Sequence, residues 1–205
     1  ILYPYQRDAT LSSGVFSAQL PANQAATPDS FDPAANLSVA ISDAEGKFSL
    51  LNVGSLLRLE TIEDFSKIVV KSVNEEKIAG KCTITFDADG IPEAVAVDAD
   101  AVSEITLVPS GSGDIAAGSY YVALLPESQG KGLVIEFYRK DASTGLDTKV
   151  TDTGDRYKKR LTFARSGGKN CGRVVTIGGE YILKYEYFKM VKVEAMGKNP
   201  FSICE

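Results

Sequence analysis

The chain has 205 residues, enough to bury a substantial core as one large β domain or two small ones. Its 27 Asp and Glu residues outnumber its 22 Lys and Arg residues, and the net charge of -5 argues against a nucleic-acid partner, which needs a clustered basic face. No run of about 18 apolar residues is present, so we expect no membrane-spanning segment.

Histidine is absent from the sequence. Its absence excludes Ser-His and Cys-His nucleophile activation and removes the commonest zinc ligand. The three cysteines, Cys82, Cys171 and Cys204, form no C-x-x-C pair and indicate neither a disulfide framework nor a zinc site. We therefore expect no metal and no cofactor, and any catalysis would depend on carboxylates, Lys, Tyr or Cys.

The first 40 residues differ in character from the rest. Residues 20–37, LPANQAATPDSFDPAANL, are rich in Ala, Pro, Asn and Asp and bury little on their own. We interpret Pro21–Asn36 as a surface connection between an opening strand pair and the main domain. Residues 41–205 form the main domain in this interpretation.

Short runs of alternating apolar and polar residues follow, separated by Gly, Pro, Asn, Asp and Ser, which is typical of an all-β chain. In Lys81–Phe86 the alternation puts Cys82 on the apolar face, so this thiol is predicted to be a small buried hydrophobe; Asp87–Gly90 is predicted to be the turn that follows. The other predicted strands are Lys47–Leu51, Ser55–Glu60, Phe65–Val73, Ala94–Val97, Glu104–Val108, Leu133–Tyr138, Arg160–Ala164 and Arg173–Ile177.

The stretch Tyr120–Leu125 is apolar at every position, with a glycine before it and Pro126 after it. A strand that is apolar on both faces is covered on both faces, so we place it at the centre of a packed sandwich. Pro126 ends it where no ladder hydrogen bond is needed.

The segment after Gly179 alternates as far as residue 194 without a turn residue. This exceeds the usual strand length of about 5–6 residues, so the segment needs a long partner groove, in its own molecule or in another. The residues on its more apolar face are Tyr181, Leu183, Tyr185, Tyr187, Val191 and Val193.

Two short motifs suggest chemistry that their context does not favour. Asp152-Thr153-Gly154 matches the aspartic-protease triplet, but it lies in a polar stretch beside the basic run Arg156–Arg160, which is typical of an exposed turn. That basic run could contact a phosphate or a glycan, although a solvated charge run is the simpler interpretation. A calcium site is a further alternative, but its carboxylates lack EF-hand spacing and are typical of acidic turns. They are Asp87, Asp89, Asp98 and Asp100.

Tyrosines on the predicted strands could instead line a sugar-binding surface. The same side chains are common on strands for packing reasons, so both interpretations stay open. The tyrosines concerned are Tyr120, Tyr121, Tyr138, Tyr181, Tyr185 and Tyr187.

Several stretches taken together resemble Bacteroidales fimbrillin-family proteins across most of residues 1–178. The resemblance is carried by the order and spacing of YPY, LPANQAATPDSFDPAANLSVA, FSLLNVGSLLRLE, AGKCTITFD, ITLVPSGSGDIAAGSYYVALLPE and KRLTFARSGGKN, which begin at Tyr3, Leu20, Phe48, Ala79, Ile105 and Lys159. Residues 180–205 depart from the family pattern.

The resemblance implies a transthyretin-like antiparallel β-sandwich of Greek-key type, mostly the C-terminal domain of a two-domain protein. Residues 1–40 would then be the terminal strands of an N-terminal domain plus a linker, and residues 41–205 the C-terminal sandwich. Members are typically exported as lipoproteins, although the given sequence holds neither a signal peptide nor a lipobox cysteine. The implied function is a non-catalytic subunit of a surface fimbria or pilus that binds other subunits by donor-strand exchange and supports adhesion at the outer membrane. Residues 180–194 would then be the donor strand, or else the domain's own last strand.

Two other functions remain open at this point. One is a carbohydrate-binding β-sandwich adhesin that recognises surface glycans or proteins. The other is a carboxylate-based glycosidase, since Asp and Glu are plentiful enough to supply a catalytic pair. Sandwiches host all of these functions, so the fold alone does not decide among them.

Overall fold

The structure is a computed structural model in which strands form almost all of the regular structure. It describes residues 1–126, 128–154, 161–163, 165, 167–177, 180–182 and 186–189, with the backbone alone at 98, 128, 129, 162, 167–177, 180–182 and 186–189. A 3-10 turn lies at Pro33–Ala35, and within the described residues no helix has the length and hydropathy to cross a bilayer. The predicted all-β class is confirmed.

The first ten strands are β1 (Leu2–Tyr3), β2 (Thr10–Ser12), β3 (Val15–Leu20), β4 (Asn23–Ala26), β5 (Ser38–Val39), β6 (Leu51–Asn52), β7 (Ser55–Thr61), β8 (Lys67–Ser72), β9 (Ala79–Phe86) and β10 (Pro92–Val102). The remaining ones are β11 (Glu104–Pro109), β12 (Gly118–Leu124), β13 (Ser128–Gln129), β14 (Leu133–Lys140), β15 (Asp147–Asp152), β16 (Leu161–Thr162), β17 (Gly167–Ile177), β18 (Glu180–Ile182) and β19 (Glu186–Lys189).

Three larger sheets form the sandwich-like body. Their strand orders are β10-β9-β3-β2, β15-β14-β8-β11-β4 and β12-β7-β17, with β18 and β19 both paired to β17. Two smaller sheets have the strand orders β1-β5-β6 and β13-β16. Most described pairings are antiparallel, and the parallel ones among them are β4 with β11 and β7 with β17.

One apolar core joins the three larger sheets. Strand β14 contributes alternate residues to it, since Leu133, Ile135 and Phe137 are buried while the residues between them are only partly buried. Phe65 packs on Phe137 with ring centroids 4.9 Å apart. The alternation predicted for Leu133–Tyr138 and for Lys81–Phe86 is confirmed, because apolar residues at every second position of a strand share one face.

The predicted strand Lys47–Leu51 is wrong over most of its length. Strand β6 begins only at Leu51, and residues 41–50 are exposed, with Phe48 52% accessible. Their neighbour β5 ends at Val39, so the backbone of 47–50 has no partner to form a ladder. An alternating pattern without a partner strand does not make a strand.

The interpretation of Pro21–Asn36 as a surface connection that buries little is also wrong. Strand β4 pairs with β11, and the stretch contributes Gln24, Ala26, Phe31 and Ala35 to the buried interior. Strand β3 pairs with β9, so residues before and after position 40 share a sheet. The origin of residues 1–40 in a separate N-terminal domain stays a prediction.

The stretch 24–30 covers the open edge of β12. This strand lies at the end of its sheet, yet every residue of Tyr120–Leu125 is buried, as predicted. A buried strand edge must have its backbone groups paired. The pairing bonds are Asp29 N–H to Ser119 C=O (2.8 Å), Tyr121 N–H to Ser30 C=O (3.0 Å) and Leu125 N–H to Ile78 C=O (2.8 Å).

The side chain of Gln24 completes this edge. Its amide oxygen accepts from the Ala123 N–H at 3.0 Å, and its amide nitrogen donates to the Ala123 carbonyl at 2.7 Å. Gln24 is fully buried, so it replaces a neighbouring backbone unit at a point that water does not reach. Gln6 makes the same two bonds to the backbone of Gln19, but at an exposed position.

We expect Gln24→Leu to lower the free energy of unfolding by roughly 2 to 4 kcal/mol, because both backbone groups of Ala123 would be buried without partners. Chemical denaturation followed by far-UV circular dichroism measures this loss. Gln6→Leu is the matched control, since water can replace its two bonds, and we expect it to cost less than about 1 kcal/mol. Equal losses in the two variants would contradict the role assigned to Gln24.

Candidate functional site

The edge of β7 that faces away from β12 is the candidate functional site. On one side β7 pairs antiparallel with β12, from Ser55 opposite Leu124 to Thr61 opposite Gly118. On its other side it pairs in parallel with β17, from Gly168 opposite Leu56 to Val174 opposite Thr61. The backbone groups of this edge are therefore satisfied by a segment more than a hundred residues away in the sequence.

The sequence of β17 complements β7 poorly. Strand β7 carries the buried residues Leu56, Leu57 and Leu59, while the first seven residues of β17 read GGKNCGR. Lys169 stands opposite Leu57, and the register shifts between Asn170 and Arg173. A strand pair is stabilised by side chains that pack across it, and glycines contribute none. The edge is thus occupied, but by a segment with little apolar side-chain area.

The residues around the middle of β7 are polar and paired. Arg58 donates to the Ser119 hydroxyl at 2.9 Å and lies 3.6 Å from the Glu60 carboxylate. Burial raises the pKa of Tyr121, although the neighbouring Arg58 acts in the opposite direction. These groups fix the outer face of the β7-β12 pair and supply no nucleophile or proton donor with a cleft around it.

A recess opens beside the first residues of β7. The apolar side chains of Phe31, Ala35, Leu37, Leu56 and Ala123 line it and are themselves buried, and its volume of about 10 Å³ holds about one water molecule. Its polar lining comes from Asn36, Asn52 and Ser55. The Asn52 carbonyl accepts from Arg165 at 3.1 Å.

The segment predicted as a long terminal strand pairs with β17. Strand β18 places Tyr181 opposite Thr176, and β19 places Tyr187 opposite Lys169, both antiparallel, with registers that differ by one residue. The other four predicted donor residues, Leu183, Tyr185, Val191 and Val193, lie outside the described residues. Whether this segment acts as a donor to another molecule stays a prediction.

Of the six tyrosines considered for a sugar-binding surface, the three whose side chains the structure describes are buried or paired. Tyr120 and Tyr121 are 2% and 7% exposed, so that interpretation is wrong for both. Tyr138 donates its hydroxyl to Glu136 at 2.7 Å, and the ammonium of Lys67 lies 4.4 Å from its ring centroid. Of the other three tyrosines, the side chains of Tyr181 and Tyr187 and the whole of Tyr185 lie outside the described part of the structure.

Glu136 is the centre of a charged ladder on the outer face of the sheet that contains β8 and β14. Its carboxylate lies 2.9 Å from the Lys71 ammonium and 3.4 Å from the Lys149 ammonium, and it accepts from Tyr138. Burial by itself would raise the pKa of Glu136, but the bonds from Lys71 and Tyr138 outweigh it and lower that pKa. Lys71 and Lys149 neutralise the charge of Glu136, so this carboxylate is not held protonated as a general acid would be.

The side chains of Asp152 and Thr153, from the motif that suggested a protease, make structural contacts within the fold. Asp152 pairs with Lys149 at 2.9 Å and accepts from the Gly154 N–H, whereas a protease dyad shares a proton between two carboxylates. Thr153, predicted in an exposed turn, is buried, and its Oγ1 accepts from the Ile135 N–H at 3.0 Å. The basic run 156–160 lies outside the described residues.

Two of the acidic residues considered for calcium, Asp87 and Asp100, stabilise a turn and a strand pair. Asp87 accepts from the backbone N–H groups of Asp89 and Ile91, which confirms the turn predicted at Asp87–Gly90. Asp100 pairs with Lys81 at 3.3 Å. Within the described residues, no group of three or more Cys, Asp or Glu side chains is placed to hold a metal ion.

Comparison with known proteins gives one structural relative to report. No family model matches the sequence, and no curated protein matches it. A crystal structure described as a "putative cell adhesion protein" from Bacteroides ovatus superposes with a TM-score of 0.53 at 14% identity, covering 94% of this chain and 67% of that one. At this identity the likeness concerns the fold alone.

The sequence predicted neither the pairing of β17 with β7 nor the role of Gln24 at the β12 edge. Within β17 it predicted only Arg173–Ile177, because the glycines of GGKNCGR are typical of a turn, and it gave no indication of parallel pairing with β7. It also assigned Gln24 to a linker, and no sequence signal marks a glutamine that substitutes for a backbone unit.

We expect Glu136→Gln to lower the free energy of unfolding by about 1 kcal/mol at pH 7, because it removes the charge that Lys71 and Lys149 neutralise. The stabilisation by a carboxylate with a lowered pKa is present above the unfolded-state value of about 4.3 and is lost as the pH falls through the folded-state value. The gap between wild type and variant should therefore close below about pH 4. Urea titrations at several pH values measure it.

Glu104→Gln is the matched control for Glu136, since Glu104 pairs with the same lysine at 3.7 Å but its side chain is 55% exposed. We expect a change below about 0.5 kcal/mol in this variant. A Glu136→Gln effect that does not vary with pH would show that the charge is not its cause.

The Cys82 thiol is expected to resist alkylation in the native protein. Cys82 is fully buried, and burial raises its pKa to about 12, so the reactive thiolate is scarce at neutral pH. A Cys171→Ser, Cys204→Ser variant isolates this thiol for labelling with N-ethylmaleimide, followed by mass spectrometry. We expect labelling only after denaturation; rapid labelling of the native chain would contradict the buried assignment.

Proposed function

We propose that this chain is a non-catalytic structural subunit of a cell-surface fimbria or pilus that assembles by donor-strand exchange and supports adhesion. In this proposal the sandwich-like body is a transthyretin-like β-sandwich of Greek-key type. Its partners are other copies of the chain or homologous subunits, and surface glycans or proteins are candidates for the adhesive contact. The protein acts outside the cell, beyond the outer membrane.

The observation that carries the proposal is the poor match between β7 and β17. The edge of β7 needs a strand, because its backbone groups and its apolar residues are otherwise exposed to water. The segment that now pairs with it begins with two glycines and places Lys169 opposite Leu57. A strand with apolar residues at alternate positions would stabilise this edge more, and this gain would drive exchange.

The sequence of the chain itself contains a candidate for such a strand, residues 180–194. Residues 181–194 alternate over a length that exceeds an ordinary strand. In the proposed assembly this segment of one copy replaces β17 on the β7 edge of the next. A head-to-tail contact of this kind does not close on itself, so repeating it produces a filament. The donor residues are Tyr181, Leu183, Tyr185, Tyr187, Val191 and Val193.

Two further observations favour a surface subunit over the alternative functions. The sequence resembles the fimbrillin family, and the fold is similar to that of a protein described as a candidate for cell adhesion. By contrast, Tyr120 and Tyr121 are buried, and the clustered carboxylate of Glu136 is neutralised by two lysines. A sugar platform and a catalytic carboxylate pair therefore have less support among the described residues.

Paired cysteines give a direct test, because Glu60 on β7 stands opposite both Arg173 of β17 and Ser119 of β12. In a Cys171→Ser, Cys204→Ser background, Glu60→Cys with Arg173→Cys would lock β17 in place. We expect the unlocked chain to form concentration-dependent, detergent-resistant ladders on unheated gels. We expect the lock to abolish them. Addition of dithiothreitol should restore them.

The matched control is Glu60→Cys with Ser119→Cys, which locks β7 to β12, a pair that does not separate in the proposed exchange. We expect ladders from this variant under oxidising conditions. Ladders that persist in both locked variants would place assembly elsewhere in the chain. An unlocked chain that stays monomeric at all concentrations by light scattering would overturn the assembly proposal itself.

A further inference from the structure

We infer that the outer face of the β1-β5-β6 sheet is a second contact surface between consecutive copies, covered by the body of the copy that donates its strand. The inference rests on the proposed donor-strand exchange and names where the two bodies meet. The apolar residues concerned, called the outer patch below, are Ile1, Tyr3, Phe48 and Leu50.

The outer patch lies on the side of this small sheet that points away from the core. Val39 of β5 is fully buried, belongs to the core and stands opposite both Leu2 of β1 and Leu51 of β6. Successive residues of a strand point to opposite faces. Tyr3, which follows Leu2, and Leu50, which precedes β6, are therefore directed to the outer face.

The residues of the outer patch leave apolar area in water. Their exposed fractions lie between 37% for Leu50 and 52% for Phe48. Ile1 is fixed beside β5, because its amino group donates to the Ala40 carbonyl at 2.9 Å and its carbonyl accepts from the Ala40 N–H at 3.0 Å. Neighbouring apolar side chains that remain exposed together are typical of an interaction surface.

The segment that carries Phe48 is held by its own turn. The Asp43 N–H donates to the Lys47 carbonyl at 2.9 Å, and the Asp43 carboxylate accepts from the Lys47 N–H at 2.8 Å. This turn presents Phe48 to solvent in a defined position. A contact made by a side chain that is already ordered costs less entropy than one that must first be ordered.

A contact in the structure connects the outer patch with the edge that the proposed exchange uses. The Arg165 guanidinium, two residues before β17, donates to the Asn52 carbonyl of β6 at 3.1 Å. Strand β17 then runs parallel to β7, with Gly168 opposite Leu56. The chain therefore reaches the β7 edge by passing β6. A donor strand that replaces β17 in the same direction enters by this route.

The direction of entry places the donor copy. Residues 180–194 follow the body in sequence, so the body of the donor copy joins its strand at the end that enters beside β6. The far end of β7 is different in character, because Glu63, two residues after the strand, pairs with Arg139 at 2.5 Å. Covering the apolar end stabilises the assembly more than covering an ion pair that water already solvates.

The test measures assembly of the full chain by light scattering and unheated gels. We expect Leu50→Glu and Phe48→Glu each to raise the concentration at which ladders form about tenfold, because the new charge would be covered at the contact. Leu146→Glu is the matched control, since this leucine is 69% exposed but belongs to the turn between β14 and β15. We expect it to assemble like wild type, and all three variants to keep the wild-type melting temperature.

A second arm locates the contact with a photo-crosslinking amino acid at position 48, in a mixture of isotope-labelled and unlabelled full chains. We expect crosslinks between chains in the assembled sample and none in the chain locked by Glu60→Cys with Arg173→Cys. Crosslinks that persist in the locked chain would overturn the link between the outer patch and the exchange.

The outcomes separate this inference from the proposed function. Wild-type ladders with equal effects of Leu50→Glu and Leu146→Glu, and no crosslink between chains from position 48, would overturn the outer patch and leave the exchange standing. A wild-type chain that stays monomeric at all concentrations would overturn the proposed function and the outer patch together.

Discussion

The fold depends on how it satisfies the backbone groups at the edges of its sheets. Strand β12 is apolar on both faces and lies at the end of its sheet, so an unpaired edge there would leave buried amide groups without partners. The chain supplies those partners from the stretch 24–30 and from the buried side chain of Gln24. Because this edge is closed, the neighbour of β7 on its other side, β17, is the strand that the proposed exchange would replace.

The two edges of the β12-β7 pair are therefore different in kind. The β12 edge is closed in part by Gln24 and Ile78, which are both fully buried, so opening it would expose buried residues. The β7 edge is closed by a strand whose first seven residues include three glycines, a lysine and an arginine. Such a strand supplies backbone hydrogen bonds and little packing, which makes it the part of the sheet that another strand can most readily replace.

Much of the fold could be predicted from the sequence, because the signal in a half-buried strand is local. The alternation in Leu133–Tyr138 predicts the buried face of β14, and the wholly apolar run Tyr120–Leu125 predicts burial on both sides. The site could not be predicted in the same way. Parallel pairing of β17 with β7 joins residues far apart in sequence, and its glycines imitate a turn. Gln24 has no periodic signal, since its role depends on one backbone unit ninety-nine positions away.

The parallel pairing of β7 with β17 has a consequence for the order in which the chain folds. Hairpins such as β2-β3 and β9-β10 join neighbouring segments, whereas β17 pairs with β7 across about half the length of the chain. Contacts of such long sequence separation form late, because loop closure costs more entropy for them. In the proposed assembly the β7 edge would be open during that interval, and a neighbouring chain would compete with the molecule's own β17 to an extent that depends on local concentration. Crowding of newly folding copies would favour the intermolecular strand, and dilution would favour closure.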